Sequence, residues 1–255
     1  MFRFSSLGSG SRGNATLVQS ASTCVMLDCG FSEKQARLRL AQHGLEFSDI
    51  SAIVVTHEHS DHINGVGAVA RKHKLPVYMT RGTASQGRHG ELPVLNLIDV
   101  HDRFEIDGLE LQAYPVPHDA REPVQFVFSD GNRRLGILTD TGSSTPYIEE
   151  MLSGCDALML ECNHDVEMLA NGPYPERLKQ RVGGRYGHLS NCQARDILSR
   201  LETSQLQYVV AAHISDKNNT AAKAGQALAD ALECSITDIA LAEQDSGLEW
   251  YVIEN

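Results

Sequence analysis

Thr56-His57-Glu58-His59-Ser60-Asp61-His62 is the stretch on which the reading of this chain turns. It follows the apolar run Ile53-Val54-Val55 and precedes a segment, Ile63 to Lys72, whose apolar residues fall at helical spacing. Apolar run, polar turn and amphipathic helix predict a strand-turn-helix unit with the histidines at the strand's carboxyl end. In extended backbone His57 and His59, two positions apart, point to one side. A helix start then brings Asp61 and His62 in from a second direction. Glu58 alternates away from its neighbours, toward solvent or behind the ligands. Three imidazole nitrogens and one carboxylate oxygen form a donor set suited to Zn²⁺, Mn²⁺ or Fe²⁺. The rival, a polar turn that happens to be histidine-rich, does not account for this order on a strand-turn-helix.

The rest of the composition sets bounds. With 255 residues the chain is expected to be a single domain, 1–255, of mixed α and β. No apolar run approaches the roughly 18 residues needed to span a bilayer. Met1-Phe2-Arg3-Phe4 carries no charged-then-apolar leader pattern, so a soluble cytoplasmic protein is expected. The six cysteines include no C-x-x-C pair and read as reduced packing residues. A formal net charge of −11 argues against a general nucleic-acid coat protein, though not against an enzyme with one local basic patch.

Strands are expected over residues 2–7, 15–19, 24–27, 76–79, 103–106, 109–116, 124–129, 134–139, 156–161, 207–212, 235–241 and 248–253. Helices are expected over 32–43, 146–153, 191–202 and 220–232, with a short helix or loop over 83–89 and a basic, Gly/Pro-containing connection over 171–188. The turn Gly8 to Asn14 is Gly/Ser-rich but lacks Gly-Lys-Ser/Thr and a following helix, so a hairpin turn outweighs a phosphate cradle. Strand-rich blocks each followed by helices suit two packed sheets covered by helices on both outer faces.

Asp28, His118, Asp140 and His213 all stand at the carboxyl end of an apolar strand, where a rigid scaffold presents chemistry. Added to the first cluster they make a two-metal site. His57, His59 and His118 would hold one ion and Asp61, His62 and His213 the other, with Asp140 as bridge. Asp28 is better placed to orient a ligand histidine than to be a ligand. Two ions roughly 3.5–4 Å apart activate a water and clamp the attacking and leaving oxygens of a displacement.

His-x-His-x-Asp-His after an apolar strand resembles the signature of the metallo-β-lactamase fold superfamily, and Asp28, His118, Asp140 and His213 match its remaining ordered motifs. The resemblance implies a four-layer αββα sandwich of the α/β class. Asp140 stands where the commonest metallo-β-lactamases carry Cys, which disfavours antibiotic hydrolysis. Residues 9–14, 117–120, 161–165, 187–191 and 212–215 together resemble the YycJ/WalJ group of this superfamily. That group implies a 5′-to-3′ exonuclease on double-stranded DNA, using two transition-metal ions (zinc or manganese, with iron also suitable) and a hydroxide bridging them. Cys162 stands where the group's pattern leads one to look for serine. The resemblance further implies that Asp61 orients the attacking water and that His188 is the proton donor to the leaving oxygen, as in tRNase Z-type enzymes. Ser11, Asn14, His164, Arg181 and Arg185 are then the expected substrate contacts. Arg177, Lys179, Arg181 and Arg185 crowd the stretch before His188, as a phosphodiester backbone requires. The interval from Asp140 to His213 is too short for the inserted domain of RNase J-type relatives, and no long tRNA-holding arm is evident, which turns the reading toward duplex DNA ends.

Two other classes compete: a small-molecule hydrolase of the same fold, such as a glyoxalase II-type thioesterase or a cyclic phosphodiesterase, and a non-catalytic module with structural metal. Thioester hydrolysis needs neither His188 nor the basic stretch. Structural zinc sites are closed and typically cysteine-rich, unlike this set.

Overall fold

The strand expected before the histidine cluster forms as the centre of a parallel trio in the computed structural model, which describes residues 1–254. The first strands are β1 (Phe2–Gly8), β2 (Ala15–Ser20), β3 (Thr23–Leu27), β4 (Ala52–Val54), β5 (Val77–Thr80), β6 (Leu95–Ile98) and β7 (Arg103–Ile106). They are followed by β8 (Leu109–Pro115), β9 (Val124–Ser129), β10 (Arg134–Leu138), β11 (Ala157–Glu161), β12 (Tyr208–Ala212), β13 (Ile239–Leu241) and β14 (Leu248–Ile253). One seven-stranded sheet has the order β14-β1-β2-β3-β4-β5-β6, the other β13-β12-β11-β10-β9-β8-β7. In each, antiparallel strands lead into parallel ones, at β3–β4 in the first sheet and β10–β11 in the second.

Alternation along the strands makes three apolar layers. Val25, Val54, Met159 and Val210 face the space between the sheets, with Phe2, Phe4, Phe126 and Phe128. Their neighbours Met26, Ile53 and Val55 face outward against α1 (Glu33–Gln42), α2 (Ser60–Ile63) and α3 (Val66–His73). A short α4 (Arg81–Ser85) follows β5. On the other side Leu158, Leu160 and Val209 pack against α5 (Pro146–Leu152), α8 (Asn191–Leu198) and α9 (Ala221–Leu232). The two remaining helices, α6 (Val166–Asn171) and α7 (Glu176–Val182), lie between β11 and α8 in the chain. The result is the four-layer αββα sandwich expected from the sequence.

Several local expectations need correction. The helix expected over 63–72 is broken into α2 and α3 at Asn64-Gly65. A Cβ on Gly65 would lie 1.9 Å from the Phe31 carbonyl oxygen, so the chain turns there against the backbone of residues 29–31. β6 went unread because Leu95 and Leu97 are exposed, which removes the apolar-in, polar-out contrast. The basic connection over 171–188 contains α7, which buries no residue and so has no apolar stripe to read. Only Ile239–Leu241 of the strand expected over 235–241 pairs; Ile236–Asp238 is a 3₁₀ turn capped by Ser235. The helix expected over 191–202 ends at Leu198.

Candidate metal centre

β3 and β10 occupy matching places in the two sheets, and each runs into an Asp-x-Gly turn: Asp28-Cys29-Gly30 and Asp140-Thr141-Gly142. Both aspartates are left-handed, with φ of 62° and 53°, a conformation that Asp tolerates better than most residues. A Cβ at Gly30 would lie 1.8 Å from the Asp61 carbonyl oxygen, so that turn stays free of side chain to admit the ligand loop.

Asp28 is buried and accepts three hydrogen bonds, from the Thr56 amide (2.8 Å), the Thr56 hydroxyl (2.8 Å) and Nδ1 of His62 (2.7 Å). The hydroxyl's single proton is thereby committed, so Thr56 Oγ1 accepts from Nδ1 of His57 at 2.9 Å. One carboxylate thus fixes the tautomer of two histidines, and both present Nε2 to the interior. His118 donates from Nδ1 to the Gly187 carbonyl (3.0 Å), leaving its Nε2 3.2 Å from Nδ1 of His59.

Three donor groups result, each with its donor atoms within 4.8 Å of one another. His57, His59 and His118 form one and Asp61, His62, Asp140 and His213 a second; the third, Asp140, Glu161, His188 and His213, overlaps the second, and in it Glu161 is already engaged by four hydrogen-bond donors. In the second, Nε2 of His62 lies 3.3 Å from Oδ2 of Asp140 and 3.5 Å from Oδ2 of Asp61. His213, at φ 53°, donates its amide to Ser9 Oγ at 2.8 Å and its Nδ1 to Glu161 Oε1 at 3.0 Å. Nε2 of His57, Nε2 of His213 and Oδ2 of Asp140 are buried without any hydrogen-bond partner. Buried polar atoms left unpaired are costly. These three converge on neighbouring donors, so the residues fit divalent metal ions.

Electrostatics agree with that fit. Burial holds the His57 and His118 rings below the usual histidine range, ready as neutral ligands. Burial also acts against a charge on His62, but Asp140, Asp28 and Asp61 outweigh it and raise the ring well above its usual value. The same contest at His213, between burial and Asp140, Asp61 and Glu161, raises it to about 10. In the metal-free protein these two rings therefore carry the protons that cations would replace.

Glu161 opens the 161–165 motif, but the sequence assigns it no role. Fully buried at the end of β11, it accepts from Nδ1 of His188 (2.8 Å) and Nδ1 of His213 with one oxygen, and from the Thr141 and Leu189 amides (3.0 and 3.1 Å) with the other. Burial opposes its charge, but His188 and His213 prevail and hold its carboxyl at about 2. The available signal was a lone acid closing an otherwise apolar strand. His188 itself is half-buried, its ring centroid 5.3 Å from that of His118 and 5.1 Å from that of His213.

The expected substrate contacts divide. Asn14 is buried beneath the cluster, with its amide nitrogen 3.1 Å from Nε2 of His62 and 3.4 Å from Oδ2 of Asp61, so it braces two of the donor side chains. Ser11 is exposed in the turn after β1. His164 is 3% exposed and bridges in backbone to Ser190; its Nδ1 has no partner. Arg181 is paired with Asp119 at 2.6 Å, and Arg185 is exposed. Glu58 is buried against the Arg121 amide (2.8 Å), bracing the loop after His118. Cys162, the position that departs from the group's pattern, is buried in the core beside Glu161.

Comparison with known proteins places this arrangement. The family model described as "Beta-lactamase superfamily domain" matches residues 23–214. The chain is 36% identical over 234 residues to exodeoxyribonuclease YycJ of Bacillus anthracis, covering 90% of this chain and 89% of that one. It is 32% identical over 226 residues to exodeoxyribonuclease WalJ of Streptococcus pneumoniae serotype 2, covering 86% and 83%. In fold it is similar to the metallo-β-lactamase fold protein YhfI of Bacillus subtilis, with a TM-score of 0.77, 14% identity and 98% of each chain covered.

Proposed function

This chain belongs to the β-lactamase superfamily and, within it, to the exodeoxyribonuclease YycJ/WalJ family, so it is a metal-dependent hydrolase, and from that premise we propose a binuclear phosphodiesterase that works as a 5′-to-3′ exonuclease on double-stranded DNA. His57, His59 and His118 would hold one ion and Asp61, His62 and His213 the other, with Asp140 between them. Two such ions, zinc or manganese and with iron also suitable, would supply Lewis acidity toward a phosphoryl oxygen and lower the pKa of a bound water. We take residues 1–255 as a single domain, because the donors come from strand ends of both sheets.

The observation that carries the reading is the Glu161–His188 pair, whose imidazole lies against His118 of the first donor group and His213 of the second. Glu161 fixes His188 through Nδ1 and leaves Nε2 free to give a proton to a departing ribose oxygen. Asp61, at the start of α2, orients the attacking water. Arg181 and Arg185, which precede His188 in the chain, meet the backbone phosphates, and Ser11, exposed in the turn after β1, is a further substrate contact. A thiolate leaving group would need no such acid.

The test is an assay of end-labelled DNA and RNA duplexes bearing 5′-phosphate or 5′-hydroxyl ends. Stepwise release from 5′ ends of duplex DNA is expected. Release from 3′ ends, preference for RNA, or turnover of thioesters with intact DNA would each overturn the reading.

A further inference from the structure

Next to the donor groups lies a hollow of about 420 Å³ to which only Arg185, among the residues given a role above, contributes. Buried Val116 and half-buried Pro117 form its floor. Tyr147 and Tyr186 supply aromatic walls, and His101 stands edge-on to Tyr147, with ring centroids 5.2 Å apart and planes at 73°. No Asp or Glu lines it, in a chain whose net charge is −11. Tyr186 is 57% exposed and is the only exposed Phe, Trp or Tyr among the described residues.

The hollow is built from the same two loops as the site. Pro117 directly precedes His118. Tyr186 stands two residues before His188, and the Gly187 carbonyl between them accepts from Nδ1 of His118. The Asp119 amide donates to the Tyr186 carbonyl at 3.0 Å, tying the two loops together. Two residues span at most roughly 7 Å. The backbone that walls the hollow is therefore the backbone that holds His118 and His188. Aromatic faces, an apolar floor and one guanidinium at the rim match a nucleobase with its attached phosphate, because every base has a π-face to stack.

We propose that this hollow is a nucleobase pocket, which takes the unstacked base of the nucleotide next to the scissile phosphate, against Tyr186 and Tyr147, while Arg185 meets that nucleotide's phosphate. This rests on the nuclease reading and extends it: a duplex end must open by a pair before it is cut. Unstacking costs least at frayed or mismatched ends, so such ends are the preferred substrates.

The experiment uses the metal-loaded full chain and duplexes differing only in the terminal nucleotide of the cleaved strand: a natural base, 2-aminopurine or an abasic residue. The wild type should be roughly 5- to 100-fold slower in kcat/KM on the abasic end. Tyr186→Ala should bring that ratio close to one, and Tyr186→Phe should restore it, since stacking needs the ring and not the hydroxyl. Comparing two substrates on one protein cancels general damage. Mixing with the 2-aminopurine duplex should quench its fluorescence in the wild type and in Tyr186→Phe but not in Tyr186→Ala. A base-versus-abasic ratio or a quench that survives Tyr186→Ala would overturn the pocket. So would the absence of quenching in a protein that cuts DNA. Quenching that depends on Tyr186 in a protein that does not cut DNA would uphold the pocket and remove the exonuclease reading instead.

Discussion

Asp28 shows how much one side chain governs here: it sets the tautomers of His57 and His62, one from each donor group, without facing the metals itself. Asp28→Ala should lower metal affinity about 10- to 100-fold, read as metal retained after dialysis against a graded chelator; unchanged retention would deny it this role. Glu161 is its counterpart in the second sheet, holding His213 and His188. The grouping of His57, His59, Asp61 and His62 was legible because their spacing on a strand-turn-helix is local. Glu161 was not, since its partners lie far along the chain and only the fold brings them together. His188→Ala should keep its metals yet lose about 10²–10⁴-fold in kcat on DNA, roughly 3–5 kcal/mol of barrier. The loss should be much smaller with a p-nitrophenolate leaving group, which needs no proton. Equal losses on both substrates, or missing metal, would remove His188 from that role.

Among the elements, the repeated Asp-x-Gly turns at β3 and β10 show the two sheets to be built to one plan, down to the left-handed aspartate. No repeat is readable in the sequence, because a turn of three residues is too short a pattern to stand out. Most strands were legible from alternation, and α1 and α8 begin at the capping boxes of Ser32 with Gln35 and Ser190 with Gln193. The silent pieces were β6, α6 and α7: β6 and α7 expose residues that give periodicity nothing to report, and α6, with Leu169 as its one buried residue, is too short to show a period. The segment from α7 to His188 nevertheless carries the basic patch. Replacing both Arg181 and Arg185 with Glu should weaken duplex binding and lower the salt slope by roughly one per arginine. Arg181 adds a local effect, because its removal frees Asp119, 3.8 Å from His59. An unchanged slope would make the patch a solvated face.

For the molecule as a whole, donors drawn from both sheets make bound metal a clasp between them. Adding chelator should lower the melting temperature by about 5–10 °C relative to protein held at 100 times the metal dissociation constant; no shift would mean that the sheets hold without it. The first two donor groups should also differ with pH. His57 and His118 are already neutral at pH 7 through burial, whereas His213 keeps its proton up to about 10 and must release it to accept a cation. Acidification from pH 8 to 6 should therefore weaken the Asp61/His62/His213 site first, and its filling should release protons, measurable by calorimetry in buffers of different ionisation heat. Simultaneous loss of both equivalents would contradict this. The pairing of Phe2 with Ile253 has a consequence for birth of the protein. At roughly 5–20 residues per second on the ribosome, the edge of β1 waits on the order of ten seconds or longer for β14. Until then the nascent chain presents an open strand edge that a neighbouring polypeptide on the same message can capture.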